Sequence, residues 1–415
     1  MPVKCHQWFL GSIVILTALI HPSTGAGASL STLVSFNRTN GWRPLSTLIT
    51  DSAGNLHGTT SGGGAYDLGT VFKIESGTKS LTTLGSFNAT NGFSPRAGVI
   101  VDSQGNLFGT TIYGGVNGRG TVFKLAAEAN SLTALISFNG TNGYYPSTGL
   151  VADTAGNLFG TTDLGGVVNA GTVFKIEAGT NVLTTLTSFD GTNLSIPSAL
   201  LIDTHGNLYG TSEFGGANGN GTVFEIAAGT NVLTIIASFD GINGDRPRGL
   251  VVDDIGNLYG ITRLGGTHDK GTVFEIAAGT NVLTTLVSFD GTNGASPLGD
   301  LIVDAQGNLF GTTVAGGAID AGTVFKVEAG TNVLTTLVSF DGTNGALPVG
   351  GLVADAAGNL FGTTYQGGLY YEGTVFQLSD TGFVVVPEVP SLALGSVGVL
   401  GLAILYSRRF KGSAA

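Results

Sequence analysis

The heptad Gly-Asn-Leu-Phe-Gly-Thr-Thr at residues 105–111 returns unchanged at 156–162, 307–313 and 358–364, and as GNLHGTT, GNLYGTS and GNLYGIT from Gly54, Gly206 and Gly256. A whole unit recurs around it, anchored at Asp51, Asp102, Asp153, Asp203, Asp253, Asp304 and Asp355, a period of 50 or 51 residues. Each unit holds four short apolar stretches, which in the third are Pro146–Asp153, the heptad, Gly171–Glu177 and Asn181–Phe189. Val, Ile, Leu, Phe and Thr fill these stretches, Gly, Asn and Asp bound them, and no long segment of helical period competes, so they read as strands. Four strands per unit and seven units predict an all-β fold: a seven-bladed β-propeller of four-stranded blades over residues 29–380. The heptad reads as the second strand, repeated because one blade cannot bury its own faces.

Seven of the eleven prolines, Pro44, Pro95, Pro146, Pro197, Pro247, Pro297 and Pro348, open the first strands, where a missing N–H does no harm. Asp-x-x-Gly-Asn reads as a tight turn into the second strand, with Asp accepting turn N–H groups and Gly free to take positive φ. The chain opens on Leu30–Phe36, a fourth-strand sequence without earlier strands, and the last repeat lacks a fourth strand after Leu378. The N-terminal strand is therefore expected to complete blade seven and close the ring, with Phe383 to Val386 as the competing edge partner.

Glycine accounts for 69 residues and charged side chains for only 11%. No Gly-x-x period exists, so collagen is excluded and tight turns explain the glycine. Residues 1–28 read as a signal peptide: Lys4, an apolar run from Trp8 to Ile20, then Ala26-Gly27-Ala28. Cys5, the only cysteine, falls within it, leaving the mature chain without disulfides or thiol chemistry. Between Ser29 and Val386, 13 Lys and Arg face 27 Asp and Glu, and nucleic acid finds no basic stripe to bind.

The repeats, with SF[DN]GTNG, GNLFGTT and GTVFKIEAGTNVLTTL, resemble the bacterial GloVer tandem-repeat family over about residues 30–378. That resemblance implies an exported repeat protein with an interchangeable C-terminal anchor, and it supplies no catalytic residues. The C-terminus resembles a PEP-CTERM sorting signal: a linker at 381–391 with Pro387, Glu388 and Pro390, an apolar transmembrane helix at 392–407, and a basic cytoplasmic tail at 408–415 with Arg408 and Arg409. Val389 departs from the Pro-Glu-Pro order. This second resemblance implies an exosortase-type processing enzyme as partner, with a plain membrane anchor as the alternative. The expected address is the cell surface or exterior, membrane-anchored at least transiently.

No metal site, cofactor or catalytic residue is predicted. His57, His205 and His268 lie in different repeats, and G-x-S-x-G, P-loop and HExxH motifs are absent. Asp153-Thr154-Ala155-Gly156-Asn157 and Asp190-Gly191-Thr192-Asn193 superficially resemble calcium loops but lack an EF-hand's carboxylates, and Asx turns explain them. The Asn-x-Thr triplets at Asn37, Asn88 and Asn139 read as loop geometry. Glu213, Arg246, Arg248 and Arg263 read as solvated loop charge.

Loops alternate between the two faces of a propeller. The first-to-second and third-to-fourth turns share one face and hardly vary here; the other two share the opposite face and vary strongly. On that variable face fall Trp42, Phe93, Tyr113, Tyr144, Tyr145, Phe214, Tyr365, Tyr370 and Tyr371, the candidate ligand-binding residues. The expected function is a non-catalytic surface protein that binds or organises extracellular polysaccharide. The alternative is a carbohydrate-active lyase or hydrolase at the central funnel, which needs unusual acids, His or Tyr converging on the axis.

Overall fold

The computed structural model describes residues 27–127 and 131–385. The predicted signal peptide apart from its last two residues, the sorting residues Pro387, Glu388 and Pro390, the apolar segment 392–407, and Arg408 and Arg409 lie outside them. Among the described residues every regular element is a strand, and no helix is long and apolar enough to cross a membrane.

Seven antiparallel sheets form the propeller, and in six of them the strands follow chain order from first to fourth. Blade three consists of Val151–Ala152, Leu158–Thr162, Thr172–Ile176 and Leu183–Ser188. The spacing between proline and aspartate decides how the first strand pairs. Where Asp follows Pro by six residues, from Pro197 and Pro247, the strand runs unbroken as Ser195–Ile202 and Asp245–Val252. Where it follows by seven, the extra residue interrupts the ladder, and blade six holds both fragments, Ala295–Pro297 and Ile302–Val303, on Leu309–Ala315.

First strands ring the axis so closely that side chains have little room. A Cβ on Gly98 would stand 2.5 Å from the Thr47 carbonyl of the preceding blade, and one on Gly299 would stand 2.5 Å from Gly350 of the next. Small residues such as Ser46, Ala97, Thr148 and Gly351 line this ring. Arg248 and Asp300 carry charge into this ring, and they recur in the functional site.

Each letter of the heptad has a job, as blade three illustrates. Asp153 Oδ1 accepts the N–H groups of Ala155 and Asn157, Asn157 Nδ2 donates to Asp153 Oδ2 at 2.7 Å, and Gly156 closes the turn at φ +83°. Asn157 Oδ1 then accepts Ala178 N–H and ties this turn to the third-to-fourth one. Leu158 enters the core. Gly160 pairs with Phe174, whose Cζ would lie 2.6 Å from any Cβ there, so only glycine lets the ring cross the strand. The Thr161 hydroxyl meets Thr148 at 2.6 Å and the Thr162 hydroxyl meets Thr172 at 2.8 Å, which satisfies them where water does not reach.

The gap above that glycine is filled from within the blade, by Phe174, rather than by an aromatic of the neighbour. Phe174 in turn meets Phe138 at the end of the preceding blade's fourth strand, edge to face at 5.2 Å. Equivalent Phe pairs join all seven blade interfaces at 4.9–5.3 Å. The aromatic beside the glycine serves a different contact. Phe108, Phe159 and Phe310 sit under Lys124, Lys175 and Lys326, with ammonium-to-ring distances of 5.6–6.0 Å. In the two blades with tyrosine, the lysine position holds glutamate, and Tyr209 and Tyr259 donate to Glu225 and Glu275 at 3.3 and 3.4 Å. Burial pushes both phenols up to about 12.

Ring closure follows the expectation. Ser29–Ser35 pairs antiparallel with Thr374–Ser379, from Ser29 opposite Ser379 to Ser35 opposite Thr374, with the bulge that other fourth strands also carry. The competing edge partner goes elsewhere. Phe383 packs on Phe310 at 5.1 Å, Val384 N–H reaches Asp304 Oδ2, and Ala305 N–H reaches the Val384 carbonyl, so this segment crosses to blade six.

Candidate functional site

The two faces differ in kind. On the constant face the Asp-x-x-Gly-Asn turns satisfy themselves, since each carboxylate already accepts two N–H groups and its Asn side chain. Its exposed apolar side chains are Ile255 in one turn and a recurring valine in four others, Val182, Val232, Val282 and Val333. Residues 383 and 384 dock on this face, at the Asp304 turn.

On the variable face, the residue before each proline adopts a left-handed backbone: Arg43, Ser94, Tyr145, Ile196, Arg246, Ser296 and Leu347, with φ between 51° and 59°. This costs non-glycine residues about 1 kcal/mol or more. An inter-blade hydrogen bond offsets it each time, as from Tyr145 N–H to the Arg119 carbonyl and from Arg43 N–H to that of Glu372. Asx turns shape the adjoining loops. Asp290 Oδ1 accepts the N–H groups of Thr292 and Asn293, and those backbone donors hold its carboxyl below the usual range. Asn37, Asn88 and Asn139 accept in the same way, as loop geometry requires. Among the described residues no group of three His, Cys, Asp or Glu side chains is placed to hold a metal.

Seven of the nine aromatic candidates are half-buried and fall into three groups. Phe93 stacks on Tyr113 at 5.2 Å, Tyr113 meets Tyr145 edge-on at 5.0 Å, Tyr145 stacks on Tyr144 at 3.8 Å, and the Arg119 guanidinium lies 5.1 Å from Tyr144. Arg43 lies 4.4 Å from the Trp42 ring and 5.0 Å from Tyr365, bridging blades one and seven. Trp42 Nε1 donates to Asp67. Phe214 packs with Arg246 at 5.1 Å. The equivalent positions in blade six hold Ala295 and Ala315, which interrupts the arc. Tyr370 and Tyr371, 52% and 76% exposed, stand apart on the loop before Gly373.

Nearer the axis the structure gathers charge that the sequence had placed on a solvated loop. Arg248 pairs with Glu213 of the preceding blade, and these side chains are only 29% and 12% exposed. Ser147 donates to Asp163 at 2.5 Å. Burial pushes the Asp163 carboxyl up to about 6, Glu213 adding to the rise while Ser147, Arg248 and Arg96 oppose it. Asp300 is also raised by burial and opposed by Arg248. Blades two to six each contribute one of these charges, and only at the axis can non-adjacent blades influence one another. In blades six, seven and one, Leu298, Val314, Val349, Tyr365 and Leu45 hold the positions that carry Arg248 or Glu213 in blades five and four.

Asp163→Asn should stabilise the protein by about 1–2 kcal/mol at pH 7.5 and change little at pH 4.5, read from urea unfolding at both. The folded carboxyl titrates near 6 against an ordinary 3.8. Its contribution is therefore full below the lower value and lost as pH rises through the upper one, a loss the amide avoids. An equal effect at both pH values would assign the change to packing.

The Gloeobacter/Verrucomicrobia repeat model matches residues 18–217 and again 196–387. The chain belongs to this repeat family. Its seven blades are the repeats that the GloVer resemblance rested on. No curated protein matches the sequence. Among solved structures, the extracellular domain of a B. thetaiotaomicron protein described as a hybrid two-component system, BT4673, superposes with a TM-score of 0.58 at 12% identity, over 83% of this chain and 39% of that one. A second such domain from B. thetaiotaomicron, BT3049, gives 0.54 at 12% identity over 84% and 40%. A Bacteroides fragilis protein described as a 6-phosphogluconolactonase gives 0.52 at 20% identity over 74% and 86%. The chain thus spans about two fifths of the length of the first structures it resembles. At these identities the likeness is one of fold.

Proposed function

We propose that this is an exported, surface-associated, non-catalytic repeat protein that binds extracellular polysaccharide through its variable face. The arc of half-buried rings with guanidinium groups beside them, running over blades seven, one, two, three and four, carries this reading. Rings held by stacking lose little freedom on binding and offer flat apolar faces to the C–H side of a sugar ring. The chain's last described residues dock on the constant face, so a C-terminal anchor such as the 387–409 signal would leave the variable face outward. Cleavage there by an exosortase-type enzyme belongs to the same proposal. Two structural neighbours of this fold are extracellular domains by description, in keeping with an extracellular address.

The test is a binding panel of extracellular polysaccharides against residues 29–386, with Tyr113→Ala, Tyr145→Ala and Tyr365→Ala. Each substitution should weaken binding of the recognised glycan by about tenfold, the scale of one lost aromatic platform. No binding at all, or equal losses from Val182→Ala and Val282→Ala on the constant face, would reject the proposal. One observation favours the alternative lyase or hydrolase: Asp163, titrating near 6, lies within electrostatic reach of Glu213. New reducing ends or unsaturated products on the same panel, abolished by Asp163→Asn, would establish it.

A further inference from the structure

Blade five carries an unusual concentration of positive charge for an acidic chain. Its first and second strands pair Asp245 with Leu264 and Pro247 with Thr262, which sets Arg246 opposite Arg263. Like charges directly across a strand pair repel, and natural sheets avoid the arrangement unless something compensates it. Neither arginine has an ion-pair partner among the described residues, and the third, Arg248, is paired with Glu213. The Nε atoms of Arg246, Arg248 and Arg263 are all buried and none has a hydrogen-bond partner. A buried guanidinium N–H without an acceptor is costly, and three on one blade is a site short of an anion.

Resting on the glycan-binding reading, we propose that Arg246 and Arg263, beside the Phe214 ring, form an anion subsite that takes the carboxylate of one uronic-acid residue within a largely neutral glycan. The guanidinium fork matches a carboxylate in two parallel hydrogen bonds, and Phe214, already packed against Arg246, offers a ring face for the same sugar. Among the described residues none of the nearby acids forms an ion pair with Arg246 or Arg263, and burial raises the carboxyls of Asp163, Asp245 and Asp300. Glu213 is engaged with Arg248, and Arg96 adds positive charge from blade two. The acidic surface elsewhere still repels a polyanion, so the subsite suits an isolated carboxylate.

Sodium glucuronate and glucose, titrated separately into the propeller and followed by NMR shifts, test this directly. Glucuronate should bind at least about tenfold more tightly than glucose and lose most of that advantage in 0.5 M salt, the behaviour of a charge-assisted pair. Arg263→Gln and Arg246→Gln should each remove the preference. Glu213→Gln should strengthen glucuronate binding by releasing Arg248, a gain that mere structural damage does not produce. Equal affinity for the two sugars, an undiminished preference in both arginine variants, or weaker binding in Glu213→Gln overturns the inference. A neutral panel glycan that still binds the arginine variants while glucuronate shows no preference would sink the subsite and leave the rim reading standing. Glucuronate preference with no glycan bound at the rim would do the reverse.

Discussion

Deleting Ser29–Ser35 should lower the melting temperature by roughly 5–10 °C and drive concentration-dependent association beyond that of the intact protein, read by calorimetry and size-exclusion chromatography. The deletion removes the fourth strand of blade seven and its ladder to Thr374–Ser379. It also takes Leu33 and Val34 from the cluster they share with Leu48, Phe72 and Phe361. The lost ladder and the re-exposed apolar surface amount to about 5 kcal/mol on ordinary per-bond and per-area values. What remains is a seventh blade whose third strand presents bare N–H and C=O groups to other molecules. An unchanged melting point and the same size as the intact protein at all concentrations would mean that the ring is not closed by this strand.

Phe174→Ala should cost about 3–5 kcal/mol in denaturant unfolding, the range for a fully buried aromatic. The ring is completely buried, meets Phe138 and lies across Gly160, where no side chain exists to fill the void. Gly160→Ala should also destabilise strongly, because its Cβ would stand 2.6 Å from Phe174 and 2.9 Å from Leu150. In the double variant the methyl occupies part of the space the ring vacated, so the combined loss should fall well short of the sum. Additive losses would show that the glycine is kept for backbone freedom and not for the ring above it.

The fold was legible because each blade solves the same packing problem with the same letters. Asp153, Gly156, Asn157, Gly160 and Thr162 each have a local partner within their own repeat, so repetition in the sequence becomes repetition in space. Closure by Leu30–Phe36 was legible from a missing strand at one end and a surplus one at the other. The funnel was not. Ser147 with Asp163 and Glu213 with Arg248 come from separate strands or blades, and no linear motif joins them. Strand pairing within blade three and the stacking of blade five on blade four bring them within reach. A signal did exist: the residue after the heptad reads Ser61, Ile112, Asp163, Glu213, Arg263, Val314 and Tyr365, and every one of the seven differs. A position so varied amid near-identical neighbours is set by something other than the packing the blades share. Among the aromatic candidates, Tyr370 and Tyr371 do not join the packed groups, because they sit at the exposed tip of a loop that has the same length in every repeat.

Hydroxyl-radical footprinting of the propeller with and without its best panel glycan tests most directly that one face recognises while the other only holds the ring together. Protection is predicted at Trp42, Tyr113, Tyr145 and Tyr365, with no change at Val182, Val232, Val282 and Val333. Protection of that valine ring, with the aromatic arc still reactive, would contradict it.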